Sequence, residues 1–238
     1  MNDRGGSSAG GEEAERIAAV YGHYASAPSK WDLANPGYRT LVTERRLAIG
    51  DTLRRAGLSP LGQRRVLDVG CGYGGELAEM QTFGAAPERL FGVDLLPDRI
   101  DAAKSRHLGI DYRVGNAISL DFPTDSFDLV LSYTVFSSIL DPTVSRAVAA
   151  EMERVLKPGG SVLWYDIRYP NPANPNVRAL SRREVRRLFP GLRGRLSSLS
   201  LLPPLARRLG PTTRWSYPLL AAIPLLRSHY FGLLSKPR

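Results

Sequence analysis

Cysteine and histidine are scarce in these 238 residues: one Cys, Cys71, and three His, at His23, His107 and His229. A single thiol excludes an internal disulfide, and one cysteine with three histidines cannot assemble a Cys/His metal cluster. The chain is therefore expected to hold no metal and to reside in the cytoplasm. Long apolar runs are also missing. The longest, Tyr217 to Leu226, is interrupted by Pro218 and Pro224 and is too short to span a bilayer. The N-terminus lacks the basic start and apolar stretch of a secretory signal. Lysine is rare, four against 28 arginines, and acids almost vanish late in the chain. Residues 168–238 hold 14 Lys+Arg and the single acid Glu184, a balance of +13, whereas residues 1–167 hold 18 against 22, or −4. Such a basic third can attract phosphates, acidic lipid or nucleic acid, with an ordinary solvated charged face as the plainer reading.

What is present suits one globular domain. Hydrophobic residues make up 43% and charged residues 23%, which argues against disordered, collagenous or disulfide-stapled classes. The Gly/Ser-rich start predicts a disordered tail over residues 1–12, followed by a helical lid over 13–63. Residues 64–238 form the core, with an insertion at about 203–227. From Arg65 onward short apolar runs alternate with helix-like segments, the rhythm of a parallel sheet. Strands are expected at 66–70, 90–94, 110–114, 127–133 and 161–167, with two closing strands in RLSSLSLLPPL and SHYFGLLSK. Pro97 and Gly109 bracket one crossover helix. Asp141 caps another whose Val144, Val148, Met152 and Val155 share a face, and Ser181 with Glu184 forms a capping box for a third.

The strongest local signal is Val66-Leu-Asp-Val-Gly-Cys-Gly-Tyr-Gly-Gly75. Gly70, Gly72 and Gly75 satisfy GxGxxG after a strand, so the backbone can turn tightly and approach a ligand. Asp94 ends the next strand 19 residues after Gly75, where a carboxylate can accept both hydroxyls of a ribose. Asp68, just before the first glycine, is repulsive toward a pyrophosphate but favourable toward a cationic ligand. That sign, and the absence of Tyr-x-x-x-Lys after Tyr133, weighs against a nicotinamide-dependent oxidoreductase.

Taken together, VLDVGCGYGG, VDLLPDR, FDLVLSY and the LKPGG turn resemble the class I S-adenosylmethionine-dependent methyltransferases, particularly the small-molecule group related to quinone-biosynthesis methyltransferases. The likeness covers residues 64–167. It implies a Rossmann-like α/β three-layer sandwich: a mostly parallel seven-stranded sheet with an antiparallel last strand and a helical N-terminal lid. S-adenosyl-L-methionine is the implied cofactor. Asp68 and the backbone of Gly70, Cys71 and Gly72 would meet its methionine part, and Asp94 its ribose. Leu95 would pack on the adenine, Asn116 and Ala117 would read the adenine edge, and the backbone at Ser132 and Tyr133 would close the pocket. Many relatives carry Asp where Asn116 stands, and the Asn oxygen can still accept from the exocyclic amine.

The acceptor side is read from residue chemistry. His23 and Asp166 are the candidate catalytic bases, with structural packing and loop-bracing as their plain alternatives. Tyr21, Tyr24 and Trp31 in the lid, and Arg168 and Tyr169 after the fifth strand, are candidate substrate contacts. The expected reaction is O-methylation of a small metabolite, sugar or natural product. The alternatives are C-methylation of a quinone or prenylated acceptor and a noncatalytic cofactor-binding or nucleic-acid-associated protein. Nucleic acid is disfavoured, since no aromatic-and-basic recognition motif is evident and Ser132-Tyr133-Thr134-Val135 replaces the Asn-Pro-Pro-Tyr type of target motif. The Leu- and Arg-rich C-terminal pieces suit a hydrophobic substrate cover or a homodimer face and admit peripheral membrane contact, although the prolines break any long amphipathic helix.

Overall fold

The computed structural model describes residues 5–25 and 32–238, with side chains described for 9–22 and 32–238. Helices α1 (Gly5–Ala25) and α2 (Pro36–Arg55) precede an alternating core. That core runs β1 (Val66–Val69), α3 (Gly75–Glu79), β2 (Leu90–Asp94), α4 (Pro97–Arg106), β3 (Asp111–Val114), β4 (Phe127–Tyr133), α5 (Pro142–Val155) and β5 (Leu156–Ile167). It closes with α6 (Arg182–Leu188), β6 (Arg193–Leu201), α7 (Pro203–Arg208), α8 (Thr213–Ala221) and β7 (Arg227–Ser235).

The strands form one seven-stranded sheet in the order β3-β2-β1-β4-β5-β7-β6. Strands β1 to β5 are parallel to their neighbours, and β7 is antiparallel to both β5 and β6. The order reverses between β1 and β4, which opens a crevice at their C-terminal ends, the usual ligand site of an open α/β sheet.

Both faces of the sheet are covered, and that is why its central strands are apolar without interruption. Leu67, Val69, Val130, Val162 and Trp164 point to one face, where α5 lays down Val144, Val148, Met152 and Val155 and α6 adds Val185. Val66, Leu129, Leu131 and Leu163 point to the other, beneath Ile49 and Leu53 of α2, Leu77 of α3 and Ile100 and Ala103 of α4. Each such side chain removed from water contributes about 1.5–3 kcal/mol before chain entropy is counted. Asp141 caps α5 by accepting from the N–H groups of Thr143 and Val144. A third cluster joins Leu41 of α2 to Leu201, Ala206, Tyr217 and Ala221, so α2 supports the segment inserted between β6 and β7. Gly37 permits the approach: a Cβ there would lie 1.8 Å from the Ala206 carbonyl oxygen.

Several expectations need correction. Residues 5–12 belong to α1 rather than to a disordered tail, because Gly10 and Glu13 are seated against the loops that follow β3 and β4. Of the 13–63 lid, α1 covers the crevice, whereas α2 packs on a sheet face. The 203–227 insertion is helical despite its prolines, which stand at the first turns of α7 and of two 3-10 turns, where their missing N–H costs nothing; Pro218 alone lies inside a helix, α8. Ser181 does cap α6, but Glu184 turns to Arg178 instead of closing the box.

Candidate active site

The glycine loop shapes one wall of the crevice. Gly70 and Gly72 take left-handed φ of 72° and 52°, which L side chains disfavour. The N–H groups of Gly70 and Cys71 both donate to the Val93 carbonyl, at 2.8 and 3.0 Å. Asp94 then stitches two loops together: its Oδ2 accepts from Gly72 N–H at 2.8 Å and its Oδ1 from Leu96 N–H at 3.0 Å. The carboxylate is thereby fixed in orientation with lone pairs to spare.

Beside it lies a cavity of about 230 Å³. Its floor is Val69, Gly70 and Val93, one side Asp94, Leu95, Asn116 and Ala117, and its far end Tyr133, Thr134 and Val135. The roof is one face of α1, whose Gly10, Glu13, Ala14, Ile17 and Tyr21 recur at helical spacing. Three polar contacts hold this roof down. Glu13 Oε1 accepts from Leu140 N–H at 2.5 Å, Arg16 donates to the Ser138 carbonyl at 2.5 Å, and the Tyr21 hydroxyl meets Ser138 Oγ at 2.7 Å. Burial alone would raise the Glu13 pKa, but the hydrogen bonds from Arg16 and Leu140 outweigh it and hold the carboxyl below its ordinary range. Arg99 lies 4.3 Å from the Tyr21 ring centroid and also lines the cavity.

Across the glycine turn is a buried polar chamber. Asp68 is 2% exposed and accepts no hydrogen bond among the described residues. Burial first, then the charges of Glu76 and Asp94, push its pKa well above the ordinary carboxylate range. Arg45 of α2 pairs with Glu76 and faces the rings of Tyr133 and Tyr165 at 5.8 and 5.3 Å. Arg45 Nε, Glu76 Oε2 and the Tyr133 hydroxyl are buried without a hydrogen-bond partner, an arrangement that leaves polar groups available to a ligand. Burial chiefly keeps the Tyr133 phenol protonated well above its usual range, so it serves as a donor. His229 stacks on Tyr165 at 4.3 Å, and burial, then Arg45, push its pKa down to about 3.

Of the residues singled out in the sequence, the cavity gathers Tyr21, Gly70, Asp94, Leu95, Asn116, Ala117 and Tyr133. Gly72 and Cys71 shape the turn, the Cys71 thiol pointing toward Tyr112 and Gly92. Asn116 Oδ1 already accepts from Ile118 N–H at 3.2 Å, so only part of its capacity remains for a base edge. Ser132 is fully buried and lines no part of the cavity, which Tyr133, Thr134 and Val135 close instead. Asp166 is also fully buried: it accepts from Ser137 N–H at 3.1 Å and Ile167 N–H at 2.7 Å and so braces the loop after β4. Burial raises its pKa to about 6, yet it does not face the cavity. Arg168 donates to the Pro224 carbonyl and stacks on Tyr169, so both brace the inserted segment. Trp31 and the side chains of His23 and Tyr24 lie outside the described residues.

Arg45, Glu76, Arg99 and Thr134 carry no motif. Thr134 alone has a local anomaly, a φ of 54° at the cavity, which only the folded backbone reveals.

This fold and crevice define a class of nucleoside-cofactor enzymes built on a doubly wound sheet. A family model described as "Methyltransferase domain" matches residues 66–160. The demethylmenaquinone methyltransferase of Deinococcus radiodurans is 32% identical over 187 residues, 76% of this chain and 72% of that protein. The fatty-acid O-methyltransferase of Mycolicibacterium smegmatis is 36% identical over 159 residues, 62% of this chain and 56% of the relative. A phthiotriol/phenolphthiotriol dimycocerosates methyltransferase of Mycobacterium leprae is 35% identical over 135 residues, 52% and 48% respectively. The chain thus spans about half the length of the last two. Solved structures share the fold: geranyl diphosphate C-methyltransferase from Streptomyces coelicolor A3(2) has a TM-score of 0.59 at 19% identity, covering 80% of this chain and 77% of that one. The PH0226 protein from Pyrococcus horikoshii OT3 has 0.58 at 20%, covering 90% and 98%. The chain belongs to the S-adenosylmethionine-dependent methyltransferases.

Proposed function

We infer that the crevice between β1 and β4 binds S-adenosyl-L-methionine and that the chain methylates the hydroxyl of a small, largely apolar molecule. The carrying observation is the pairing of a fixed ribose acceptor, Asp94, with a buried unpartnered carboxylate, Asp68, across a glycine turn. The donor set fits this cofactor. Leu95 and Ala117 offer apolar packing to an adenine, Asp94 has lone pairs for ribose hydroxyls, and Asp68 suits a cation and would repel a diphosphate.

When bound, the cofactor supplies an activated methyl on a good leaving group. The chain's own part is alignment and exclusion of water. Tyr21, Ile17 and Ala14 roof the crevice, while Arg45 Nε and the Tyr133 hydroxyl are donors available to a carboxylate or hydroxyl of the ligands. No described histidine lines the cavity, and Glu13 is committed to Arg16 and Leu140, so deprotonation would have to come from the acceptor's own acidity or from solvent.

An apolar acceptor agrees with the named substrates of the fatty-acid and dimycocerosate relatives. Carbon methylation of a quinone is the second reading, favoured by the demethylmenaquinone relative and by the lack of a general base in the cavity. Calorimetric titration with S-adenosylhomocysteine tests the first half, and no saturable binding overturns it. Methyl transfer from labelled cofactor to hydroxy fatty acids, set against demethylated quinones, separates the two readings.

A further inference from the structure

The segment between β6 and β7 carries an apolar face that the fold leaves uncovered. Helix α8 has two sides. Thr213, Tyr217 and Ala221, four residues apart, are buried against Leu41, Leu201 and Ala206. Trp215 and Leu219, on the other side, are each 72% exposed, and the ridge continues through Ile223 at 45% and Leu225 at 74%. Pro218, Ala222 and Pro224 between them are exposed as well. A surface helix ordinarily turns polar residues to water on that side, and a contiguous apolar ridge marks an interaction site.

Charge selects the partner. Residues 203–227 contain Arg207, Arg208, Arg214 and Arg227 and no acid. Arg208 and Arg214 are exposed, and the Arg214 guanidinium lies 5.2 Å from the Trp215 ring. Glu44, the acid bonded to this segment, is engaged from beneath by the Tyr217 hydroxyl. A second copy meeting through the same patch would set arginine against arginine across a two-fold axis. A nucleic acid would engage the arginines but leave the apolar ridge in water. An acidic bilayer satisfies both: the indole at headgroup level, the aliphatic chains below it and the guanidinium groups on phosphate.

We propose that this segment is a membrane-docking cap, which lays Trp215, Leu219, Ile223 and Leu225 into an anionic phospholipid surface with Arg208 and Arg214 on the headgroups. The cap also roofs the side of the sheet where Tyr217, Glu44 and Arg45 lie, so docking brings bilayer-dissolved molecules close to the polar chamber. The docking itself does not depend on which acceptor is methylated.

Flotation of the full chain with phosphatidylcholine vesicles, with and without phosphatidylglycerol, at about 0.1 M salt tests it. Binding is expected to the anionic vesicles, at least tenfold tighter than to the neutral ones. The Leu219→Ser/Leu225→Ser variant is expected to lose about tenfold or more (1.4 kcal/mol or greater) and Arg208→Gln/Arg214→Gln to lose anionic selectivity, with thermal melting and S-adenosylhomocysteine binding unchanged in both. Vesicle addition should shift tryptophan emission to shorter wavelength, and Trp215→Phe should abolish the shift. Absent vesicle binding, binding insensitive to the Leu219/Leu225 pair, a dimer that this pair dissociates, or retention on double-stranded DNA in place of vesicles overturns the proposal.

Discussion

Replacing Asp68 by Asn is expected to stabilise the ligand-free protein and to weaken cofactor binding at once. Asp68 has no hydrogen-bond donor among the described residues, and burial together with Glu76 and Asp94 raises its pKa. A folded carboxyl that keeps its proton to higher pH than the unfolded one means that the folded state binds more protons over that window. Stability therefore falls as pH rises from the unfolded value, near 3.8, through the folded one. A pKa raised by one costs about 1.4 kcal/mol at neutral pH, and 1 kcal/mol moves the melting point of a chain this size by about 2–4 °C. The Asn variant should melt at least about 2 °C higher at pH 7.5, with the gain shrinking toward pH 4. A cationic ligand, by contrast, loses a charge-assisted partner worth about 1.5–3 kcal/mol, a weakening of about 10- to 150-fold. Scanning calorimetry from pH 4 to 8 and calorimetric titration with S-adenosylmethionine measure both halves. An unchanged affinity, or a lower melting point at neutral pH, refutes the reasoning that Asp68 is held in readiness for a cation.

Asp94→Ala removes the ribose acceptor together with the two bonds that tie the glycine loop to the Leu96 turn, so it should lower both the melting point and S-adenosylhomocysteine affinity, the latter by about tenfold or more; unaltered affinity counts against the ribose role. Gly37→Val inserts atoms where the Ala206 carbonyl already stands, and should cost about 1–3 kcal/mol in denaturant melts by parting α2 from α7, leaving cofactor affinity nearly intact. Asp166→Asn should leave the pH dependence of methyl transfer in place, because this carboxyl braces Ser137 and Ile167. Loss of an acidic limb near pH 6, where Asp166 titrates, would instead make it the base.

The amino-acid sequence by itself determined the sheet and the cofactor crevice. Apolar runs such as VLDV and FDLVLSY declare strands buried on both faces, and the glycines at 70 and 72 with Asp94 at the next strand end announce a nucleoside site, because each rests on chemistry within a few residues. Helix ends at Pro97, Asp141 and Ser181 were legible for the same local reason. Only the tertiary structure decided which polar side chains face the crevice. Asp166 ends a strand as Asp94 does, yet the loop after β4 folds back over it and takes both its oxygens. Arg45 and Glu76 stand 31 residues apart on α2 and α3 and share no motif, yet packing of the two helices on one sheet face brings them together beside Asp68 and Tyr133. The proline-broken segment before β7 could not be read as helical from its composition, since the surface that holds it belongs to α2, far away in the chain. Its uncovered apolar side became visible only when the buried side was known.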